Sequence, residues 1–343
     1  MPESGGRSQG RPAAERFLAL ARALGRLGDR TRRRSGRREG RAVPHGLRAS
    51  AAPWMAGLGL GLALAGCTGF IGYNPPQFKE VLLQGSGSDK LLLIDINGPV
   101  TNDPLLIPNV GIIPGMTARV RQELELAYND NNIRGILLRI DSPGGTITDS
   151  DVIYHSIMEF KKAKKVKVVA AMEDIAASGA FYVAMAADEI YAHPTTVTGS
   201  IGVVMEHMDV ADLMNKLGVT DDPVTSGKYK DIGSQFRKMT PDERALLQSV
   251  VNAQYEKFIK VVQDGRPKMT VQQIRAIADG RIMTADEAKE RGLIDGIGYL
   301  DDAYKRLSQL AGFPTNRLVR YSNIWLTGNN IYSNSFPIEF IQN

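Results

Sequence analysis

Residues 133–145 read IRGILLRIDSPGG, and this stretch decides the architecture. Ile133 to Ile140 is an apolar run interrupted only by Arg134, Gly135 and Arg139, and the Asp141-Ser142-Pro143-Gly144-Gly145 turn stops it. A short apolar run bounded by turn residues is the pattern of a strand buried on both faces. Thr148 to Lys165 follows as a helix whose closing lysines suit its partially negative C-terminal end. Strand, glycine turn and helix in immediate succession make one step of an α/β protein.

Working outward, the pattern recurs on both sides. Upstream, Lys90 to Ile96 (KLLLIDI) is a strand closed by Asn97-Gly98-Pro99, and Gly115 to Asn129 an amphipathic helix. Downstream, Lys167 to Met172 is a strand and Ala176 to Ala187 a short helix of small and apolar residues. Asp188 to His193 and Ser200 to Glu206 read as two short strands split by Pro194, and Val210 to Leu217 as a helix stopped by Gly218. Thr240-Pro241-Asp242-Glu243 combines a cap, a first-turn proline and two acids, opening a helix to about Asp264. Further helices are expected at Val271 to Ala278, Ala285 to Arg291 and Leu300 to Leu310. The prediction is an α/β fold with parallel strands and right-handed crossovers. Its helical C-terminal third packs over the sheet or against a neighbouring subunit.

Of the 343 residues, 43% are hydrophobic and 23% charged, which excludes disorder over the whole length. A single cysteine excludes a disulfide framework, a zinc ribbon and an iron–sulfur cluster. His45, His155, His193 and His207 show no HExxH or paired spacing, so a histidine-built metal site is not expected, and no cofactor is expected either. The net charge of +5 misleads, because the first 50 residues hold 13 Arg against four acids and the remainder is acidic. Nucleic-acid binding is therefore not expected.

Trp54 to Gly66 is an apolar run of 13 residues, against the roughly 20 that a membrane-crossing helix needs. Its length suits the core of an export signal. Leu64-Ala65-Gly66-Cys67 has the small-residue pattern of a lipobox, with Cys67 taking the lipid and placing the later chain outside the cytoplasm on a membrane surface. The arginine-rich stretch before it is longer than an ordinary signal leader, and either translation starts near Val43 or the extension is a cytoplasmic tail. The expected organisation is a leader over 1–53, a lipoprotein signal over 54–67, a linker over 68–89, a catalytic domain over 90–311 and a tail over 312–343.

Two glycine turns could carry chemistry. Asp141-Ser142-Pro143-Gly144-Gly145 joins a strand to a helix, where backbone N–H groups can hold an oxyanion or a phosphate; it lacks the GxxxxGK[ST] spacing of a nucleotide loop. Ala176-Ala177-Ser178-Gly179-Ala180 sets a hydroxyl among small neighbours at a helix start, which suits a nucleophile and equally a cap. A serine nucleophile needs a base. The histidines show no recognisable triad order, whereas Ser226-Gly227-Lys228-Tyr229-Lys230-Asp231 offers two lysines, and a lysine can serve where burial keeps its amine neutral.

The blocks IRGILLRIDSPGG, DIAASGAFYVAMAADEIYAHP, TGSIGVV, SGKYKDIGSQFRKMTPDER and ADGRIMTADEAKERGLID resemble the signal peptide peptidase A family of serine–lysine peptidases. They run in family order from about Lys90 to Leu300. The resemblance implies a Clp protease and crotonase-like fold of stacked ββα units. It implies Ser178 as nucleophile, Lys230 as general base, Ser200 holding the lysine amine, and Gly145 and Gly179 as oxyanion donors. It further implies peptide substrates such as signal-peptide remnants and a homo-oligomer, since the family often completes its dyad across a subunit interface. Two features depart from the family: Ala180 stands where a second glycine is common, and a lipobox replaces an uncleaved transmembrane anchor. Two other classes stay open. An acyl-CoA hydratase or isomerase would use the same paired N–H groups with carboxylates, and a scaffold protein would not label with an active-site serine probe.

Overall fold

The computed structural model describes residues 78–107, 111–322 and 330–332. The leader, the apolar run and Cys67 lie outside the described residues, as does most of the segment beyond Ser322. Strand β1 (Lys79–Gly85) is followed by β2 (Lys90–Asn97), a small hairpin of β3 (Leu105–Ile107) and β4 (Gly111–Ile113), and helix α1 (Met116–Asn129). The decisive stretch folds as expected into β5 (Ile133–Ser142) and α2 (Ile147–Lys164). Then come β6 (Lys167–Ala177), α3 (Gly179–Ala184), β7 (Glu189–Ala192), β8 (Val197–Gly199) and α4 (Ala211–Leu217). The last third holds α5 (Pro241–Gly265), α6 (Val271–Arg275), β9 (Ile282–Thr284), α7 (Ala285–Glu290), β10 (Gly296–Ile297), α8 (Leu300–Ala311) and β11 (Arg317–Ser322).

The strands form a nine-stranded sheet in the order β1-β11-β2-β5-β6-β7-β10, with β8 paired to β6 and β9 to β8. Only the β1–β11 and β8–β9 pairs are antiparallel; the rest are parallel. Side chains alternate between two buried faces, which is why the central strands read as unbroken apolar runs. Leu92, Ile94, Ile136, Leu138, Val168 and Ala170 point to the face covered by α1, α2, α3 and the end of α5. Leu91, Leu93, Leu137, Val169 and Ala171 point to the other, where α8 supplies Leu300, Ala303 and Leu307 and the chain returns to insert Ile331.

On that second face the apolar rows give way to charge, one residue per strand. Asp95 of β2 lies opposite Arg139 of β5, and Arg139 Nε donates to Asp95 Oδ1 at 2.7 Å. Arg320 of β11 reaches Asp95 Oδ2 at 3.5 Å, and a second Arg139 nitrogen donates to the Ile331 carbonyl at 2.8 Å. All three charged side chains are buried.

The structure corrects the sequence reading in three places. The sheet extends past both expected domain edges, because β1 comes from the stretch read as linker and β11 from the tail, and β11 lies between β1 and β2. Strand β6 continues to Ala177, so the helix after it starts only at Gly179. The strand expected over 200–206 is instead the three residues Val197–Gly199. Gly199 at φ +87° and Ser200 at φ +51° turn the chain out of the extended region.

Candidate active site

The loops at the C-terminal ends of β5 and β6 meet. After Ser142 the chain turns through Gly144 at φ +97°, and Val100 grips the turn on both sides: its N–H donates to the Gly144 carbonyl and its carbonyl accepts from Thr146 N, both at 2.9 Å. Thr146 then caps α2 by accepting from Asp149 N. The Asp149 carboxylate also accepts from Thr117 Oγ1 at 2.8 Å and Asn102 N at 3.1 Å, tying the turn to α1. Glycine is required at 145 by close approach, since a Cβ there would fall 2.1 Å from the Val100 carbonyl oxygen.

Ser178 occupies the bend between β6 and α3 with φ +53° and ψ −122°, a conformation that costs a non-glycine residue on the order of 1–3 kcal/mol. Its N–H donates to the Gly199 carbonyl at 2.9 Å, and its carbonyl accepts from Tyr182 N at 3.0 Å, so backbone bonds hold the strain and leave the side chain out of the cap. The helix that follows is wholly buried, which fixes the bend against the core. Strain of this kind on a sharp strand-to-helix turn presents a nucleophilic hydroxyl.

The two turns are in contact. A Cβ on Gly144 would lie 2.7 Å from Gly179 N and 2.8 Å from Ser178 Cβ, and one on Gly179 would lie 3.2 Å from Gly145 N. Among the described residues neither the Gly145 nor the Gly179 N–H is taken up by a backbone acceptor. Both glycines border a cleft together with Ser178. Two N–H groups beside one hydroxyl are what stabilisation of a tetrahedral oxyanion needs.

The cleft walls are mainly apolar, from Ile147, Val203, Tyr182 and Phe258, with Ser150 and Gln254 as polar members. Tyr182 packs edge-on against Tyr154 at 5.5 Å and tilted against Phe258 at 5.0 Å. Its hydroxyl donates to Asp151 at 2.6 Å, and burial followed by that bond pushes the phenol pKa up, so it stays protonated. Sequence reasoning missed Tyr182 and Phe258. The aromatic pair lies 76 residues apart and carries no local signal.

Ser200 follows the β6–β8 pairs Ala176–Thr198 and Ala177–Gly199, so register carries it alongside Ser178; its N–H donates to the Arg281 carbonyl at 2.7 Å. Lys230 is placed differently. It is exposed in a turn closed by its N–H to the Gly227 carbonyl, and it does not border the cleft of its own chain. Among the described residues no histidine borders the cleft either. His155 is an exposed partner of Glu159, and His193, lowered in pKa by burial, packs on the Tyr299 ring.

A hydroxyl held in strain beside paired N–H donors, in an apolar cleft at the strand ends of a mostly parallel sheet, belongs to the serine hydrolases that act on acyl groups. Residues 160–313 match peptidase family S49, and residues 106–198 match the Clp protease family. A Methanocaldococcus jannaschii protein named as a protease is 39% identical, covering 62% of this chain and 68% of its own. An Enterococcus faecium protein named as a signal peptide peptidase SppA is 32% identical over 71% of this chain and 70% of its own. The chloroplast serine protease SPPA of Arabidopsis thaliana is 33% identical over 68% of this chain but only 34% of its own. The chain belongs to peptidase family S49 and is a serine peptidase of the SppA type.

One substitution separates the donors from the fold. In Gly179→Ala the new methyl would stand 2.3 Å from Ser150 Oγ and 3.2 Å from Gly145 N, in the space an oxyanion would use. The expected result is a fall in kcat of roughly 10²- to 10³-fold, the effect of removing one oxyanion donor. Adding Ser150→Ala removes the clashing hydroxyl but leaves the methyl before Gly145 N, so the double variant should regain thermal stability without regaining kcat.

Proposed function

We propose that the protein is a membrane-anchored endopeptidase that cleaves apolar peptides, signal-peptide remnants among them, through an acyl-enzyme on Ser178. Lys230 in its neutral form takes the Ser178 proton as Oγ attacks the scissile carbonyl. The N–H groups of Gly145 and Gly179 hold the resulting oxyanion. The proton passes to the departing amine, and water then hydrolyses the ester with the same lysine as base. Ser200 orients the lysine amine.

The observation that carries this reading is the strained Ser178 beside two N–H groups that no backbone acceptor among the described residues takes up. The apolar walls of the cleft favour apolar substrate side chains. Lys230 lies outside the cleft of its own chain, so the reading draws the lysine from a second copy in a homo-oligomer. Exposed apolar side chains along the same region, Val204, Met208, Leu213, Leu217 and Val224, support such an assembly. The Leu64-Ala65-Gly66-Cys67 string supports lipid anchorage at the extracytoplasmic face, and among the described residues no helix is long and apolar enough to cross a membrane.

A fluorophosphonate probe tests the assignment. Covalent labelling of the purified protein should disappear in Ser178→Ala, together with cleavage of an apolar peptide library. Labelling that survives Ser178→Ala moves the nucleophile elsewhere, and loss of labelling without any peptide cleavage in the parent removes the substrate assignment.

A further inference from the structure

Between Gly218 and Thr240 the chain has no helix or strand, and residues 221–230 are all exposed. Apolar packing therefore does little to hold the Lys230 turn in shape. Two ionic contacts tie the segment to α5, the exposed Lys228–Asp242 pair at 2.8 Å and a less exposed clamp built on Arg237. Arg237 Nε donates to Asp231 Oδ2 at 2.7 Å, and Nη2 reaches the Asp231 carbonyl at 3.4 Å. On its other side Arg237 forks onto both carboxylate oxygens of Glu243, with Nη1 to Oε2 at 2.9 Å. Glu243 is buried in the first turn of α5, where it also accepts from Thr240 N at 2.8 Å and Thr240 Oγ1 at 3.0 Å.

Asp231 is the residue next to Lys230. Helix α5 is the element that carries Gln254 and Phe258 into the cleft wall. A planar guanidinium bonded to Asp231 and forked onto Glu243 joins the lysine turn and the cleft-wall helix into one piece. Arg237 and Asp231 are part-buried and Glu243 is buried, so the clamp also contributes to stability. What the clamp secures is local geometry in a segment that lacks a core. It also persists in acid, because Arg237 first and the Thr240 N–H next hold the Glu243 carboxyl down at about 2.

We propose that Arg237 is a positioning residue for catalysis, clamping Asp231 to Glu243 so that the Lys230 amine is presented at a fixed place relative to α5. The proposal rests on Lys230 as the base. Its test uses the full chain, a fluorogenic apolar peptide and the variants Arg237→Ala, Glu243→Gln and Lys230→Met. Arg237→Ala should lower kcat roughly 10- to 100-fold, the scale of a misplaced catalytic group, with KM and assembly size unchanged when assayed well below its thermal midpoint, which itself should fall because Glu243 loses its partner. Millimolar guanidinium should restore part of the lost kcat, since it can refill the space between the two carboxylates. Glu243→Gln keeps the helix cap but weakens the fork, and should lower kcat in the same direction.

Unchanged kcat in Arg237→Ala, a loss that guanidinium does not restore, or a loss that follows dissociation of the assembly would each overturn the proposal. Lys230→Met separates the two levels of the argument. If it is inactive while Arg237→Ala is fully active, the clamp alone is wrong; if it is active, the base assignment falls and takes the clamp with it.

Discussion

Exchange of Lys230 for Met is expected to reduce peptide hydrolysis by on the order of 10⁴-fold, the upper range for loss of a general base, without disturbing the fold. Lys230 is exposed in its own chain, so removing its charge leaves no buried group unpartnered. Lys228 provides the control. Its amine is exposed and engaged with Asp242 at 2.8 Å, and Lys228→Met should retain most activity. Comparable losses at the two positions would mean that the base has been assigned to the wrong lysine. The same variant also tests whether the dyad spans two copies. Mixing inactive Ser178→Ala with inactive Lys230→Met should recover about a quarter of the sites if each site takes serine from one copy and lysine from its neighbour. Recovery should be nil if both come from one copy.

The second large effect is on stability. Asp95→Ala should cost about 3–5 kcal/mol, the usual penalty for leaving a buried charge without its partner. The Asp95 carboxylate lies between the guanidiniums of Arg139 and Arg320, and all three side chains are buried. Desolvation lowers the Arg320 pKa, and Asp95 is the first influence that opposes it. Urea unfolding at constant protein concentration, comparing Asp95→Ala with wild type, reads the difference directly. A loss below about 1 kcal/mol, the typical range of an exposed pair, would show that the two arginines do not rely on Asp95. Peptidase activity of the folded fraction should be retained, since this cluster does not border the cleft.

The parallel core of this protein is legible in the sequence because its strands are buried on both faces. IRGILLRI and KLLLIDI announce themselves as apolar runs bounded by turn residues, and Thr240-Pro241-Asp242-Glu243 announces a helix start that the structure shows as a full capping box. The two glycine turns were legible for the same local reason: a turn between a buried strand and a buried helix leaves few residue types possible. The strands outside the expected domain, β1 and β11, were not legible. RLVRYS carries Arg320 into the interior, and only the pairing of β11 with β2, which brings that arginine to Asp95, makes the burial affordable.

The candidate site divides along the same line. The local strings marked the Gly145 turn and the Ser178-Gly179 turn as places that could carry chemistry, while the roles of Ser178, Gly145 and Gly179 came from the family resemblance. Their meeting was decided by tertiary structure, since the parallel β5–β6 pair sets both turns at one edge of the sheet. Phe258 and Gln254 had no local signal at all, being ordinary helix residues that α5 happens to lay across the cleft. The string around Lys230 offered two lysines and only the family resemblance singled out Lys230, which the fold of one chain leaves exposed in a turn bonded through Asp231 to Arg237. Local constraint acts on residue type through turns, caps and alternation, and is therefore written in the sequence. Convergence of residues 76 or more positions apart depends on how whole elements pack, and only the folded chain decides it.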